Sequence, residues 1–202
     1  WVVSNPEFLR EGQAIADCMN PDRIVIVCNQ EEPFKIMREL YSQFPERIIE
    51  TNIWSAELGK LAANGFFALS VSYANLLARL CDKTGADVAE VTKIMKADRR
   101  IGPKAFLNAG IGYGGSCFPK DVAALYNIFN EEGLNANLLK EVMIINDSQI
   151  EYFIEKIREE VWTIGDKTFS VLGLAFKENT DDVRESRALE IVKELYRMGA
   201  FK

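Results

Sequence analysis

Histidine is missing altogether: none of the 202 residues is one. That removes the Ser-His-Asp triad, the Cys-His pair and every His-ligated metal site at once, so any proton transfer must run through Lys, Glu, Asp, Tyr or water. Cysteine is scarce as well. Cys18, Cys28, Cys81 and Cys117 form no C-x-x-C pair and no cluster, which argues against a zinc site or a disulfide scaffold, leaves no metal to expect, and fits a reducing, cytoplasmic setting. Positive charge is in deficit: 24 Lys and Arg face 30 Asp and Glu for a net charge of −6, so no overall field exists to hold a polyphosphate, and nucleic acid is excluded as a partner. The longest apolar stretches, residues 66–71 and 169–176, fall short of the roughly 18 residues that a membrane helix needs, so no membrane span is expected. The opening residues, Trp-Val-Val-Ser-Asn-Pro, carry no basic stretch and do not read as a signal peptide.

What remains, 48% hydrophobic and 27% charged residues, is the composition of a globular chain able to bury a core. Residues 22–28 are short, β-branched and preceded by an Asn-Pro turn signal, which predicts a buried strand. Pro33 suits a first helical position, and Phe34, Ile36, Met37, Leu40 and Phe44 recur at helical spacing until Pro45; Ile48 and Ile49 begin another strand. Residues 55–83 predict the longest helix, with Leu58, Leu61, Phe66, Leu69, Tyr73, Leu76 and Leu80 in one stripe interrupted only by Gly65. A helix of that length often forms a dimer interface. Gly85 closes it, and Asp87 with Glu90 resembles a capping box opening the next helix. Residues 102–119 are too rich in Gly and Pro for regular structure. Helices are predicted over residues 121–129 and much of 134–164, a strand over 167–175, a helix over 184–198, and the opening of a further strand at Ala200, Phe201 and Lys202. The order is strand and helix, then all helix, then a β-α start.

Chemistry concentrates in the segment from Gly110 to Asp121, Gly-Ile-Gly-Tyr-Gly-Gly-Ser-Cys-Phe-Pro-Lys-Asp. It puts Cys117 at a predicted helix start, where free N–H groups and Lys120 would favour a thiolate. The other three cysteines read as small buried hydrophobes. Gly110, Gly112 and Gly115 match G-x-G-x-x-G literally, but residues 105–109 are too short to be the strand that a dinucleotide turn requires. These glycines are instead expected to let a ligand approach the backbone. Lys60 and Asn64 lie one helical turn apart and can donate to a single oxygen. Glu7 and Glu11, also four apart, flank the apolar pair Phe8 and Leu9 and could supply a base. Lys177 and Arg184 bracket a charged loop and could reach a phosphate or a carboxylate. Each of these pairs also fits an ordinary solvated surface.

Four stretches together resemble the UDP-glucose/GDP-mannose dehydrogenase family of nucleotide-sugar dehydrogenases. They are Asn-Pro-Glu-Phe-Leu-Arg-Glu-Gly at residues 5–12, Lys-Leu-Ala-Ala-Asn at 60–64, Gly-Tyr-Gly-Gly-Ser-Cys-Phe-Pro-Lys-Asp at 112–121, and Gly-Leu-Ala-Phe-Lys at 173–177 with Arg-Glu-Ser at 184–186. The resemblance implies an α/β fold: a mainly helical central dimerisation domain built on a long helix, flanked by partial Rossmann-like segments. Residues 1–54 would end an NAD-binding domain, 55–165 would form the central domain with the catalytic Cys loop, and 166–202 would begin a UDP-sugar-binding domain. The chain would then be a fragment lacking most of its first domain and the end of its last, inactive alone.

The resemblance also implies roles. NAD would be the cofactor, and a UDP-sugar C6 alcohol would be oxidised twice, with Cys117 carrying a thiohemiacetal and then a thioester. Lys60 and Asn64 would face the reacting oxygen, Asp121 would orient Lys60 or a water, and Glu7 would take part in proton transfer during hydrolysis. Glu11, Phe8, Leu9, Phe106, Leu107, Asn108, Tyr113, Gly114, Phe176 and Lys177 would line the substrate, with residues 106–110 wrapping the nucleotide sugar. Arg100 would reach a neighbouring site across a homodimer, and Arg184, with Glu11, would lie on the cofactor side. UDP-glucose is the expected substrate; GDP-mannose, or a non-catalytic dimerisation fragment, are the alternatives.

Overall fold

The computed structural model describes residues 1–201 and divides into two compact units, Trp1–Ala63 and Asn64–Lys202. In the first unit the Ile-Val-Ile core of the predicted strand is β1 (Ile24–Ile26), every residue of which is buried. It pairs in parallel with β2 (Ile48–Glu50), Ile24 opposite Ile48. A parallel pair needs a crossover connection, and α2 (Glu31–Leu40) supplies it, with Pro33 in its first turn. A one-turn 3-10 helix at Pro45–Arg47 leads into β2. On the other side Ser4 and Val27 exchange two backbone hydrogen bonds of 2.9 Å. Val25, Val27 and Ala56 form the core of the unit, with Phe8 packed against them. The short α1 (Ala14–Met19) buries no residue and carries Cys18 exposed. Cys28 is only half-buried, so of the three cysteines expected in cores only Cys81 is there. Cys18 lies on a helix whose larger apolar side chains, Ile15 and Met19, are themselves exposed.

Helix α3 (Ile53–Thr84) starts two residues before the predicted helix, where the Asn52 side chain accepts from the Ser55 N–H at 2.9 Å. Its 32 residues extend about 48 Å at 1.5 Å per residue. An 18-residue window of it has a mean hydropathy of 1.3, so α3 is long and apolar enough to cross a membrane by length and composition. The expectation of no such span counted uninterrupted apolar runs. Here Gly, Ser and Asn interrupt the run without adding charge, and the average stays high. One third (33%) of that window is buried inside the protein.

The second unit packs the rest of α3 with α4 (Val88–Ala97), α5 (Phe118–Glu131), α6 (Asn137–Val161) and α7 (Arg187–Arg197). Ala68, Tyr113, Val122 and Val142 form one buried cluster, and Ile154, Ile164, Ile191 and Leu195 another. Asp87 caps α4 by accepting from the Ala89 N–H at 2.8 Å, while Glu90 turns to Lys93 at 3.2 Å instead of completing a capping box. Residues 167–175 are not a strand. Thr168 makes one parallel bridge to Phe201, and residues 169–175 join no strand ladder, with Leu172 95% exposed. An apolar, β-branched run becomes a strand only where a neighbour takes its N–H and C=O groups. Phe201 thus pairs as expected, while Lys202 lies outside the described residues.

The glycine-rich loop between α4 and α5 shows why its glycines are there. A Cβ on Gly114 would stand 2.0 Å from the Glu185 carbonyl oxygen, and one on Gly115 would stand 2.6 Å from the Phe176 ring. At Gly114 and Gly115 the close approach is to the protein's own residues 176–187, whereas a Cβ on Gly110 would have nothing within 4 Å. Gly114→Ala is expected to cost about 1–3 kcal/mol through overpacking. Gly59→Ala, in α3 with nothing within 4 Å of its Cβ position, should gain about 0.5–1 kcal/mol from helix propensity. Urea unfolding of the two variants checks both; a Gly114 variant as stable as the parent contradicts the packing argument.

Candidate active site

In the first unit, Glu7, Phe8, Leu9 and Lys60 come together. The Lys60 ammonium donates to the Glu7 backbone carbonyl and lies 3.4 Å from its carboxylate, while Glu7 also accepts from the Leu9 N–H. Phe8 is held between cations: Lys60 Nζ sits 5.2 Å from its ring centroid and the Arg23 guanidinium 3.9 Å, the geometry of cation–π attraction. Glu11 occupies the turn before α1.

The second unit holds the thiol. Cys117 is the N-cap of α5 and is exposed, and its carbonyl accepts from the Asp121 N–H at 2.9 Å. Pro119 in the first turn suits a helix start, since the N–H it lacks would have no partner there. One turn on, the buried Asp121 carboxylate accepts from Asn64 Nδ2 at 2.6 Å and pairs with Lys120. That hydrogen bond from Lys120, more than the charge of Asp121 or of Cys117, raises the ammonium above its ordinary range. The Asp121 carboxylate therefore fixes the orientation of the Asn64 amide, because only the nitrogen end can donate to it.

Around this helix start stand aromatic side chains. Phe118 lies 6.1 Å from Phe67, 6.4 Å from Phe106 and 6.2 Å from Tyr113, ring centroid to centroid. Phe106 is half-exposed, Leu107 and Tyr113 are buried, and Asn108 accepts from Lys96 at 2.7 Å. Phe176 covers Gly115, with Lys177 Nζ 5.3 Å from its ring. Arg100 and Arg184 each engage a neighbouring carboxylate, Asp98 at 2.6 Å and Asp182 at 2.7 Å.

Sequence reasoning missed the residues that hold the loop. Asn146 on α6 clamps the Tyr113 backbone from both sides, accepting from its N–H at 2.7 Å and donating to its C=O at 3.1 Å. Asn75 on α3 accepts from the Gly110 N–H at 2.7 Å, and Gln149 donates to the Gly110 C=O at 2.8 Å. Arg187, buried at the start of α7, donates to the carbonyls of Asn146 and, at 3.5 Å, Ile111. The signal was present as amides at helical spacing among apolar neighbours, Asn146 and Gln149 on α6 and Asn64 and Asn75 on α3.

Burial pushes the Tyr113 phenol up to about 12, with the Asp147 charge adding and Arg187 opposing. A group whose pKa is raised on folding favours the protonated native state. Its contribution to stability is complete below the unfolded value of about 10 and is lost as pH rises toward about 12. Stability should therefore fall across that alkaline window, and Tyr113→Phe should flatten the fall, as denaturant titrations at pH 9 and pH 12 will read. An unchanged slope contradicts a buried phenol.

The chain matches three family models. The NAD binding domain of the UDP-glucose/GDP-mannose dehydrogenase family matches residues 1–45, its central domain residues 54–148, and its UDP binding domain residues 170–201. UDP-glucose 6-dehydrogenase TuaD of Bacillus subtilis (strain 168) is 46% identical over 199 residues, covering 98% of this chain and 43% of the relative. UDP-glucose 6-dehydrogenase 4 of Arabidopsis thaliana is 46% identical over 203 residues, covering 96% and 42%. The chain thus spans less than half the length of these relatives. Among solved structures, a UDP-glucose dehydrogenase from the hyperthermophilic archaeon Pyrobaculum islandicum superposes with a TM-score of 0.93 at 40% identity, over 98% of this chain and 46% of that one.

Proposed function

Since the chain belongs to the UDP-glucose/GDP-mannose dehydrogenase family, we propose that it is the catalytic-thiol portion of an enzyme oxidising the C6 alcohol of UDP-glucose to the acid of UDP-glucuronate. The observation that carries this reading is Cys117, exposed at the start of α5, one turn from a buried Asp121 that holds Asn64. UDP-glucose is favoured over GDP-mannose by the relatives, which are named UDP-glucose 6-dehydrogenases.

The cofactor proposed is NAD, which would supply the hydride acceptor for both oxidations. The β1–α2–β2 crossover fits the edge of a dinucleotide fold. Gly12 is the one glycine in residues 1–45, so these residues hold no pyrophosphate turn, and the proposed cofactor-side residues are Glu11 and Arg184. The Cys117 sulfur adds to the C6 aldehyde, and the new alkoxide is met by donors from Lys60 and Asn64, which favour negative charge on that oxygen. Loss of hydride from C6 leaves a thioester on Cys117. Water attacks its carbonyl, Glu7 takes a proton, and the acid leaves with the thiol restored. Covalent capture keeps a reactive aldehyde in place between the two steps. Phe106, Leu107, Asn108, Tyr113, Gly114, Phe176 and Lys177, with Phe8 and Leu9, are the proposed sugar-nucleotide contacts.

A homodimer is proposed through α3, where Phe66, Tyr73 and Leu80 recur every seven residues and are 65%, 45% and 58% exposed. Heptad spacing on a helix face is what a second helix packs into. Arg100 would then serve the partner's site, and the whole would work in the cytoplasm.

In the protein that carries this chain, Cys117→Ser should abolish formation of the acid while UDP-glucose binding by calorimetry stays within about twofold of the parent, because the thiol acts only in the covalent steps. Acid production at the parent rate overturns the mechanism. Lys60→Ala should lower kcat by about 100-fold or more, as removal of an oxyanion donor does.

A further inference from the structure

Gly110 belongs to no helix or sheet, yet both sides of its peptide are occupied. Its N–H goes to Asn75 Oδ1 at 2.7 Å and its C=O takes Gln149 Nε2 at 2.8 Å. Gln149 presents its nitrogen there for a reason that can be traced one residue further. Arg79 donates to Gln149 Oε1 through Nε at 3.0 Å and Nη2 at 2.8 Å; a guanidinium has no acceptor, so the amide oxygen must face it and the amide nitrogen must face Gly110. Arg79 is itself fixed, its Nη2 donating to the Ile145 carbonyl at 3.2 Å and Ser148 Oγ at 3.0 Å, and its guanidinium lying 5.1 Å from the Tyr152 ring centroid.

Asn75 is 0% exposed, and its Nδ2 has no partner among the described residues. A buried donor without a partner is a cost to the fold. The side chain is there for its oxygen, which holds one N–H of a loop.

We propose that Asn75, Gln149 and Arg79 are positioning residues that hold the 106–110 segment in the form that receives a nucleotide sugar, and so set the affinity for that substrate. None of the three need touch substrate. This rests on the functional reading above for the identity of the ligand, while the clamp stands on its own geometry. Tyr113 is held separately by Asn146, whose own carbonyl Arg187 engages, and the start of α5 has its own bond from the Asp121 N–H to the Cys117 carbonyl, so the affinity of the loop and the placement of the thiol are under different control.

Gln149→Glu keeps the oxygen that Arg79 needs and removes the donor to Gly110. Asn75→Leu removes the acceptor, and Asn75→Asp restores an oxygen in its place. Hydrogen exchange of residues 106–112 should rise about tenfold in Gln149→Glu and Asn75→Leu, as expected for one lost hydrogen bond, and return toward the parent in Asn75→Asp. KM for UDP-glucose should rise about tenfold in the same two variants with kcat within about threefold, a loss of binding shared by ground and transition states. Alkylation of Cys117 by iodoacetamide should stay within about twofold of the parent rate, since its helix start keeps its own supports. Parent-like exchange in residues 106–112, exchange rising equally through α3, α5 and α6, or local exchange rising with KM unmoved each overturns the proposal. If the parent protein fails to bind UDP-glucose in calorimetry, the enzymatic reading falls and takes the affinity claim with it, while the exchange arm still decides whether the clamp exists.

Discussion

A loop that is neither helix nor sheet can enter a protein interior only if something else satisfies its peptide groups. Here buried amides do so. Asn75, Asn146 and Gln149 complete both sides of the Gly110 and Tyr113 peptides, and Arg187 takes the carbonyls beside them. The glycines belong to the same constraint: side chains at 112, 114 and 115 would strike Asn146, Glu185 and Phe176. With these peptides satisfied and Gly114 and Gly115 packed against Glu185 and Phe176, the stretch from Gly110 to Gly115 is pinned at several points. Cys117 is delivered exposed at the first turn of α5 as a result.

Helix α3 serves two faces by the same economy of small and polar residues. Ala68, Ala74, Ser72 and Asn75 turn inward and are nearly inaccessible, whereas Phe66, Tyr73 and Leu80 turn outward. Small inward residues allow close approach: at Gly65, Leu125 of α5 stands 3.0 Å from where a Cβ would be, so a larger residue there would press on that side chain. The large residues, placed outward, are available to a second helix. The same sequence that makes α3 apolar enough on average to resemble a membrane span thus divides into a packed inner face and an open outer one.

Much of this was legible in the sequence. The period of 3.6 found α3, α5, α6 and α7, and the β-branched run found β1, because both signals come from burial of one continuous face. The strand predicted at 167–175 failed for a reason that periodicity cannot see: its propensity was right, but a ladder also needs a neighbour, and Thr168 alone has one. Cys117 was singled out by the absence of histidine and by the helix start after it. Phe67 and Phe118, whose rings stack at the start of α5, carry no local signal that separates them from ordinary core, and neither do the amides clamping the loop. Their role depends on contacts between residues 33 to 39 positions apart, which no local pattern encodes.

The claim at the centre is that this rigid loop offers one sulfur for covalent bonding to a sugar carbon. The most direct measurement is peptide mass spectrometry on protein quenched with acid during turnover of UDP-glucose and NAD. A hydroxylamine-releasable acyl adduct on the peptide bearing Cys117 is the predicted result. Acid product accumulating while that peptide stays unmodified, or an adduct confined to Cys18, Cys28 or Cys81, would contradict the account.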